Sequence, residues 1–364
     1  MQTIFNGIKY LSEAIAGSNK ILLVIDSSFS FLNIKEEIEN ISVPYIKFDQ
    51  FTPNPLYEDV CKGVDLLDNE ECDTILAVGG GSSMDVAKCI KLYSKMSKDK
   101  LYLEQEYKDT GIKLIAVPTT AGTGSESTRY AVIYYDGKKQ SVTHDSIIPD
   151  VAILEPKVLK TLPLYQKKCT LLDAYCQGIE SWWSVNSTEE SKKLSKQSVE
   201  IITKWWREYI FENTDESTEQ IMHAANLAGQ AICITQTTAA HAFSYKITSL
   251  YKLPHGHAVA ACLPEIWQYM LNHMDRCLDS RGADYLESIF ADIAHAMSCS
   301  SAQEAITFFR QMLIDMEMQN PVSEDPSSDV NILSSSVNPI RLKNNPVELD
   351  TEAINRLYEE ILRK

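Results

Sequence analysis

The sequence lacks any long hydrophobic run and any close pairing of its cysteines. No segment approaches the roughly 18 consecutive apolar residues of a membrane-spanning helix, and the N-terminal stretch MQTIFNGIKYLSEAIAG has no uninterrupted apolar part typical of a secretion signal. The nine cysteines form no Cys-x-x-Cys pair, and an odd, scattered set is typical of reduced thiols rather than a disulfide framework. These absences argue against secretion and membrane spanning, and they predict a cytoplasmic protein.

Positive charge is also scarce. The chain has 34 lysines and arginines against 50 acidic residues, which gives a net charge of -16 at pH 7. Such a charge repels phosphate backbones and anionic membranes, so we expect neither nucleic acid nor a membrane as a partner. A small anionic substrate would have to be held by local cations that act against the overall field.

The first part of the chain alternates short apolar runs with amphipathic ones. The runs ILLVID, VPYIKFD, TILAVGGG and IKLIAVPTT are typical of strands, and helix-length segments separate them. This alternation predicts a parallel sheet that binds ligands at the carboxyl ends of its strands. We therefore predict an α/β nucleotide-binding domain over residues 1–157, with a hairpin that turns at Asp136-Gly137.

Residues 158–364 show mainly helical periods and few strand signals. Helices are predicted over about residues 165–184, 189–211, 217–235, 257–274 and 301–316, and from about residue 351. The segment from Asn320 to Asn338 is rich in Ser, Asp and Pro and is predicted to be the most loop-like piece. The pattern therefore predicts a second domain that is entirely helical.

Two loops at predicted strand ends carry groups that suit a phosphate. The first loop contains Gly79, Gly80, Gly81 and Ser82. Glycines let the backbone close on a pyrophosphate, and the helix that follows offers free N–H groups. The second loop, in VPTTAGTGSES, contains the hydroxyls of Thr119, Thr120, Thr123 and Ser125. Three glycines after a strand are often only a turn, and GxGxxG is absent, but two such loops together favour a cofactor site.

Two histidines lie on consecutive helical segments of the second part. His241 lies early in an apolar segment, and His255 follows a proline, where one helix stops and the next is predicted to begin at His257. Asp173 and Gln177 are four residues apart and share one face of an upstream helix. One carboxylate and two neutral imidazoles suit a borderline divalent metal. Each histidine alone is more often a core or surface group, so the metal site is predicted from the combination.

Four motifs along the chain together resemble a known family. GGGSSMDVAK, PTTAGTGSES, DAYCQGIES and HAFSYKITSLYKLPHGHAVA are similar, in order, to the signatures of the iron-containing, group III alcohol dehydrogenases. The resemblance spans nearly the whole chain. It implies an α/β N-terminal Rossmann-like dinucleotide-binding domain followed by an all-α metal-binding domain, in a metal-dependent enzyme that reduces a small aldehyde to a primary alcohol with NAD(P)H.

The resemblance implies four positions at the metal. The family's aspartate ligand falls on Asp173, and its two later histidine ligands fall on His241 and His255. The remaining ligand, usually a histidine, falls on Gln177, whose amide oxygen is a weaker ligand. Relatives such as the glycerol dehydrogenases also lack that histidine and bind zinc with three protein ligands, so the implied metal is Fe2+ or Zn2+. The family's additional active-site histidine corresponds to Tyr245, which either relays a proton or packs within the helix.

The resemblance also implies the residues that bind the cofactor. They are Asn54, Gly80, Gly81, Ser82, Asp85, Thr119, Thr120, Thr123 and Lys139. Asp26 follows the first predicted strand, where a carboxylate accepts from the adenosine ribose and repels a 2′-phosphate, so NAD(H) is expected in preference to NADP(H). The alternative for Asp26 is a turn or helix-cap residue beside Ser27 and Ser28.

Within the family, finer features resemble the phosphonoacetaldehyde reductases, which reduce an aldehyde carrying a phosphonate dianion to 2-hydroxyethylphosphonate. STRYAVIYYDGKK and SVNPIRLKNNPVEL carry this resemblance, together with the Asp173 and Gln177 pair. Such a substrate needs fixed cations. The candidates at matching positions are Arg129, Lys139, Lys246 and Arg341. Each is alternatively a solvated surface charge. The family's use of an edge strand in dimer formation implies a homodimer.

Three other functions remain open. The first is reduction of uncharged aldehydes or diols, such as lactaldehyde or butyraldehyde, with no requirement for a phosphonate. The second is a carbon-oxygen lyase of the dehydroquinate synthase type, which consumes no net NADH. The third is a nucleotide-binding scaffold that has lost its metal, motivated by Gln177 in place of histidine. An NADH-oxidation assay combined with metal analysis separates these functions.

Overall fold

The computed structural model describes residues 2–362, apart from the side chains of residues 340 and 341. The chain divides into two compact units. The first is Met1–Leu162 with Asn213–Gly229, and the second is Pro163–Glu212 with Gln230–Lys364. The domain division at residue 157 stays a prediction, and these units differ from it in grouping Asn213–Gly229 with the first unit.

The first unit contains a six-stranded parallel sheet and a separate two-stranded hairpin. The strands are β1 (Thr3–Asn6), β2 (Ile21–Ile25), β3 (Tyr45–Phe48), β4 (Thr74–Gly79), β5 (Lys113–Pro118), β6 (Tyr130–Tyr135), β7 (Lys138–Thr143) and β8 (Val151–Leu154). The parallel sheet has the order β1, β8, β5, β4, β2, β3. Its central strands are continuous apolar runs because helices or loops cover both faces, and β2 is buried at every position.

Two strands of this sheet deliver the predicted cofactor loops to one edge. The helices of this part are α1 (Leu11–Ala14), α2 (Lys35–Glu39), α3 (Tyr57–Asn69) and α4 (Gly81–Tyr93). β4 pairs with β5 in parallel from Thr74 opposite Lys113 to Gly79 opposite Pro118, so both strands end together. The glycine loop and the threonine loop therefore leave the sheet side by side.

The hairpin forms where the sequence predicts it. β6 and β7 pair antiparallel, with Tyr135 opposite Lys138. The two turn residues, Asp136 and Gly137, have φ angles of 50° and 68°. Left-handed backbone at both positions matches the twist of the flanking strands, and Asp-Gly adopts it readily. A backbone hydrogen bond of 2.8 Å from the Tyr134 N–H to the Pro55 carbonyl ties the hairpin to the loop before α3.

The later part of the chain is helical. The helices are α5 (Leu164–Trp183), α6 (Glu189–Arg207), α7 (Asp215–Thr235), α8 (Ala239–Tyr251), α9 (His255–Asn272), α10 (Ala283–Ala296), α11 (Ala302–Asp315), α12 (Pro326–Ser336), α13 (Pro339–Leu342) and α14 (Thr351–Ile361). All the named strands precede them, so the predicted fold class is confirmed. Within residues 2–362, no helix is long and apolar enough to cross a membrane.

α5 is the central helix of the second unit and packs against α6 and α9. Its residues from Lys167 to Trp183 are all buried. A helix that is buried on every side must find partners for its polar groups inside the protein. Asp173, Gln177 and Glu180 are therefore placed where other protein groups or a bound ion must satisfy them.

Two predictions about the helical part are wrong. The segment Asn320–Asn338 is not a loop, because α12 occupies Pro326–Ser336. The Asp325 side chain accepts from the Ser328 N–H, a proline follows at the first helical position, and Val330 and Leu333 are buried. α9 begins at His255 rather than His257. Pro254 is its N-cap, and a proline is tolerated at the start of a helix because the N–H that it lacks would have no partner there.

Candidate metal centre and cofactor site

Three side chains of the second unit converge as the sequence predicts. Asp173 lies in the middle of α5, His241 in the first turn of α8, and His255 at the first position of α9. One ligand atom from each lies within 4.8 Å of the others. His241 Nε2 is 3.3 Å from Asp173 Oδ1, and the two imidazole rings are 5.3 Å apart. Asp173 and His241 are each only 4% exposed.

A glycine next to His255 allows this convergence. A Cβ atom on Gly256 would lie 2.0 Å from the Cys169 carbonyl oxygen and 2.8 Å from the Asp173 Cβ. A Cβ atom cannot lie that close to a carbonyl oxygen, so any side chain at this position would push the start of α9 away from α5. Gly256 therefore fixes the distance between the helix that carries Asp173 and the residue that carries the second imidazole.

Tyr245 and Lys246 lie one turn beyond His241 on α8. The Tyr245 ring stacks on the His255 ring with centroids 5.8 Å apart and planes inclined by 11°. Both Tyr245 and Lys246 are partly exposed. The side chain of Arg341, predicted to bind substrate, lies outside the described residues; its helix, α13, packs against α8. Tyr245 is thus in contact with the predicted ligand His255, while the substrate role of Lys246 and Arg341 stays a prediction.

The predicted phosphate-binding loops meet in the first unit. Gly80 is the N-cap of α4 and provides no side-chain cap, so the first N–H groups of this helix are available to an anion. A Cβ on Gly80 would lie 3.5 Å from the Thr120 methyl, and one on Gly81 would lie 3.0 Å from the Thr123 methyl. The helix N-terminus and the threonine loop therefore form one polar edge beyond the strands.

The remaining cofactor candidates lie around the same edge. Asp26 caps the turn after β2, accepting from the Ser28 N–H at 2.8 Å, and also accepts from the Ser83 hydroxyl at 2.8 Å. The structural alternative for Asp26 is thus observed, and its contact with a ribose stays a prediction. Ser82 is the second residue of α4, Thr119 is buried after β5, and Asn54 is exposed with a φ of 59°.

Asp85 and Lys139 lie close together. Asp85 accepts from the Ser125 hydroxyl at 3.1 Å. Burial raises the pKa of Asp85 to about 6, against the opposing charges of Lys88 and Lys139. Lys88 is fully buried and donates to Ser125, Thr128 and the Tyr130 carbonyl. The tip of the hairpin is therefore linked electrostatically to the first turns of α4.

Arg129 is not brought together with Lys139. Its guanidinium forms an ion pair with Asp145 at 2.7 Å, at the base of the hairpin. Lys139 lies opposite Tyr134, near the tip, whereas Arg129 precedes Tyr130 at the other end of β6. Strand residues advance about 3.4 Å each, so the two cations belong to opposite ends of the hairpin.

Comparison with known proteins assigns the family. A family description for iron-containing alcohol dehydrogenase matches residues 4–156, and one for the C-terminal part of the Fe-containing alcohol dehydrogenase family matches residues 168–362. The chain belongs to the iron-containing alcohol dehydrogenase family. The resemblance drawn from the four motifs is confirmed, and the chain is an NAD-dependent oxidoreductase of this family.

Individual relatives of the family are distant in sequence and close in fold. The chain is 29% identical over 303 residues to phosphonoacetaldehyde reductase of Streptomyces viridochromogenes, covering 79% of this chain and 76% of the relative. It is 30% identical over 287 residues to aldehyde-alcohol dehydrogenase 2 of Entamoeba histolytica, covering 72% of this chain but only 32% of that longer relative. The structure of the iron-containing alcohol dehydrogenase of Thermococcus thioreducens superposes with a TM-score of 0.88 at 22% identity, covering 99% and 98% of the two chains.

The three residues fit the divalent metal that this family uses. Ligand atoms about 2.1 Å from a tetrahedral ion lie about 3.4 Å from each other, and His241 Nε2 lies 3.3 Å from Asp173 Oδ1. One carboxylate oxygen and two imidazole nitrogens are a donor set that zinc and iron(II) both accept. Gln177, buried one turn beyond Asp173, adds an amide to the same cluster.

The charge state of the cluster follows from its neighbours. Burial raises the pKa of Asp173, but hydrogen bonds and charges from His241, His255 and Gln177 outweigh it, and the net pKa is lowered. Burial lowers the pKa of His241, but the carboxylates of Glu180 and Asp173 outweigh it and raise that pKa to about 9. Asp173 is therefore held as the anion that a metal ligand must be.

Glu180 is a residue of this site that the sequence reasoning missed. It is fully buried, and its Oε2 forms a hydrogen bond with His241 Nδ1, on the ring edge away from Asp173. The signal was present, because Glu180 is seven residues, or two helical turns, beyond Asp173 in DAYCQGIE and so shares its face. A carboxylate at that spacing beside two predicted metal positions is typical of a group that orients a ligand.

Proposed function

We propose that this family member reduces phosphonoacetaldehyde to 2-hydroxyethylphosphonate with NADH as the hydride donor. The observation that carries the catalytic part is the buried cluster of Asp173, His241 and His255, with ligand atoms within 4.8 Å. The substrate part is supported by the 29% identity with a phosphonoacetaldehyde reductase over 303 residues. It is also supported by the lysines at positions 139 and 246.

The residues of the second unit have separate roles in this proposal. Asp173, His241 and His255 hold the metal, and Gln177 provides a weaker fourth donor. A divalent ion in that position supplies Lewis-acid polarisation of the aldehyde oxygen. Tyr245 is stacked on His255 and carries an ionisable hydroxyl, and we propose that it donates the proton that the product alcohol needs.

The residues of the first unit bind the cofactor. The uncapped N-terminus of α4 receives the pyrophosphate, and the hydroxyls of Thr119, Thr120 and Thr123 line the same edge. Asp26 favours NADH because its carboxylate would face, and repel, a 2′-phosphate. Lys139 and Asp85 lie at the hairpin side of this edge.

Phosphonate recognition requires cations, since the chain carries a net charge of -16. Lys139, Lys246 and Arg341 remain the proposed donors to the dianion. Arg129 is a weaker candidate because Asp145 already neutralises it. Each charge-assisted contact made in a site that excludes water contributes about 1.5–3 kcal/mol, or about ten- to a hundredfold in kcat/KM.

The test is NADH oxidation by the metal-loaded enzyme with two aldehydes of similar length, phosphonoacetaldehyde and propionaldehyde. We expect kcat/KM to be at least about tenfold higher for phosphonoacetaldehyde, with most of the difference in KM. Equal values for the two aldehydes would reject the phosphonate assignment and favour the second candidate, an aldehyde or diol dehydrogenase for uncharged substrates. NADPH in place of NADH gives the cofactor preference in the same assay.

Other proposals rest on the sequence alone. A carbon-oxygen lyase of the dehydroquinate synthase type is disfavoured by the matches to iron-containing alcohol dehydrogenases over both parts of the chain. Turnover of substrate without net NADH consumption would favour the lyase function again. The cytoplasmic location and the homodimer stay predictions, the second of which sedimentation analysis tests directly.

A further inference from the structure

We infer that Glu180 is a positioning residue that holds His241 in the one tautomer able to bind a metal, while its other oxygen caps the helix that carries this histidine. The inference rests on the proposed metal site. It concerns a residue that does not itself belong to the ligand set, and it separates two tasks of a single carboxylate.

The first oxygen of Glu180 is committed to the start of α8. Oε1 accepts from the Thr238 N–H at 3.1 Å, the Thr238 hydroxyl at 2.7 Å and the Ala240 N–H at 3.0 Å. The His241 N–H is also directed at it, at 3.4 Å. These are N–H groups that a helix N-terminus leaves unsatisfied, and Thr238 has no cap bond of its own. Glu180 therefore serves as the N-cap of α8 from a different helix.

The second oxygen of Glu180 is committed to His241. Oε2 is hydrogen-bonded to His241 Nδ1, and the opposite ring nitrogen, Nε2, faces Asp173. A carboxylate only accepts hydrogen bonds, as Oε1 does from its four donors. The proton must then sit on Nδ1. Nε2, on the side of Asp173 and His255, is then the nitrogen that a metal would bind in exchange for any proton it carries.

Replacement of Glu180 by glutamine should divide these tasks. A glutamine has one acceptor oxygen, and the four donors at the start of α8 require that oxygen on their side. Its NH2 group would then face His241 Nδ1, which must become the acceptor. The ring proton moves to Nε2, where it blocks the metal. Glu180→Gln is therefore expected to keep the hydrogen bonds at the start of α8 and to weaken metal binding by His241.

A second variant removes a hydrogen bond at the start of α8 and leaves the contact of Glu180 with His241 in place. The Thr238 hydroxyl donates to Glu180 Oε1 and accepts from the buried Trp183 indole N–H at 2.9 Å. Thr238→Val removes both hydrogen bonds and leaves that N–H without an acceptor, which destabilises the fold. It does not touch the hydrogen bond between Oε2 and His241. Thr238→Val is therefore the control for a purely structural effect.

The experiment measures zinc affinity by competition with a chelator, and thermal unfolding of the metal-free proteins, for the wild type and both variants. We expect Glu180→Gln to bind zinc about ten- to a hundredfold more weakly with an apo Tm close to the wild type. We expect Thr238→Val to have a lower apo Tm and wild-type affinity. Equal zinc affinity of Glu180→Gln and the wild type would overturn the inference and leave the metal site intact. Wild-type protein that binds no zinc would instead reject the metal site itself.

A second measurement determines the tautomer of His241 directly in the wild-type protein. In zinc-loaded protein with 15N-labelled histidine, His241 should show a protonated Nδ1 and a metal-bound Nε2. The resonance is assigned by its disappearance in His241→Asn. A metal-bound Nδ1, or a proton on Nε2, would overturn the inference.

Discussion

The proposed metal cluster and the proposed cofactor edge are built in opposite ways. The cluster is made of buried side chains, each held by a specific partner: Asp173 by His241 and Gln177, and His241 by Glu180. The cofactor edge is made largely of backbone, with the free N–H groups of α4 and short hydroxyl side chains around it. One site depends on the identity of each side chain, and the other depends on where two strands end.

This difference decides how each site should respond to substitution. In the cluster, removal of one group leaves buried charges or donors without partners, so effects are large and not additive. At the cofactor edge, most contacts survive any single change of side chain, so effects are graded. The predictions below test this contrast.

The largest effect is expected in the ligand set. Asp173→Ala, His241→Ala and His255→Ala should each lose bound metal and reduce kcat/KM by about a thousandfold or more, because Lewis-acid stabilisation amounts to several kcal/mol. Gln177→Ala should cost about tenfold, since an amide is the weakest donor present. Elemental analysis and NADH oxidation measure both. A metal-free His255→Ala enzyme with full activity would reject the ligand assignment.

A large effect is also expected from a single methyl group. Gly256→Ala places a Cβ against the Cys169 carbonyl and should separate α9 from α5. We expect zinc affinity to fall about a hundredfold and the free energy of unfolding to fall by about 1–3 kcal/mol, as in other overpacked sites. Gly137→Ala is the control, because its new Cβ has no atom within 4 Å and the zinc affinity should not change. Unchanged zinc affinity in Gly256→Ala would show that the helix contact tolerates a side chain.

An intermediate effect is expected at the hairpin. Lys139→Gln should raise KM for phosphonoacetaldehyde about ten- to a hundredfold and leave KM for propionaldehyde within about twofold. Arg129→Gln is the matched control, because Asp145 already pairs with that guanidinium. Steady-state kinetics give the KM of each variant for phosphonoacetaldehyde and for propionaldehyde. Equal responses of the two variants would remove Lys139 from the substrate site.

The smallest effect is expected at Asp26. Asp26→Asn removes the charge and keeps one acceptor for the Ser28 N–H, so the turn is retained. Use of NADPH relative to NADH should rise about five- to tenfold, the effect of a partly solvated charge interaction of about 1 kcal/mol. Asp26→Gly should give the same shift with some loss of stability. An unchanged cofactor ratio in both variants would leave Asp26 as a turn residue only.

The fold and the ligand trio were predictable because each has a local signal. Alternating strand and helix periods give the sheet, Asp136-Gly137 gives the hairpin, and the spacing of Asp173, His241 and His255 along helical segments gives the cluster. The sheet and the hairpin depend on neighbours in sequence. The trio does not, since Asp173 and His241 are 68 residues apart, and it was expected from the combination of residue types and from the family resemblance. The prediction of a loop over Asn320–Asn338 was wrong, because it relied on the Ser, Asp and Pro content of the segment and gave no weight to the helix-capping residue Asp325.

Features that depend on distant neighbours were not predictable. Nothing local to Arg129 indicates its ion pair with Asp145, and nothing local to Gly256 indicates a carbonyl 2.0 Å from its missing side chain. Glu180 shares a face of α5 with Asp173, but the sequence does not show which groups its carboxylate contacts. Its four donors belong to Thr238, Ala240 and His241, the first of which lies 58 residues later in the chain.

The most direct test of the metal centre is NADH oxidation with phosphonoacetaldehyde by wild-type enzyme stripped with a chelator, with zinc, iron(II) or nickel then added singly. The stripped enzyme should be inactive, and activity should return as about one metal ion binds per chain. The same titration of Asp173→Ala should restore nothing. Full turnover by wild-type protein shown to contain no metal would contradict the account that Asp173, His241 and His255 form the catalytic metal centre.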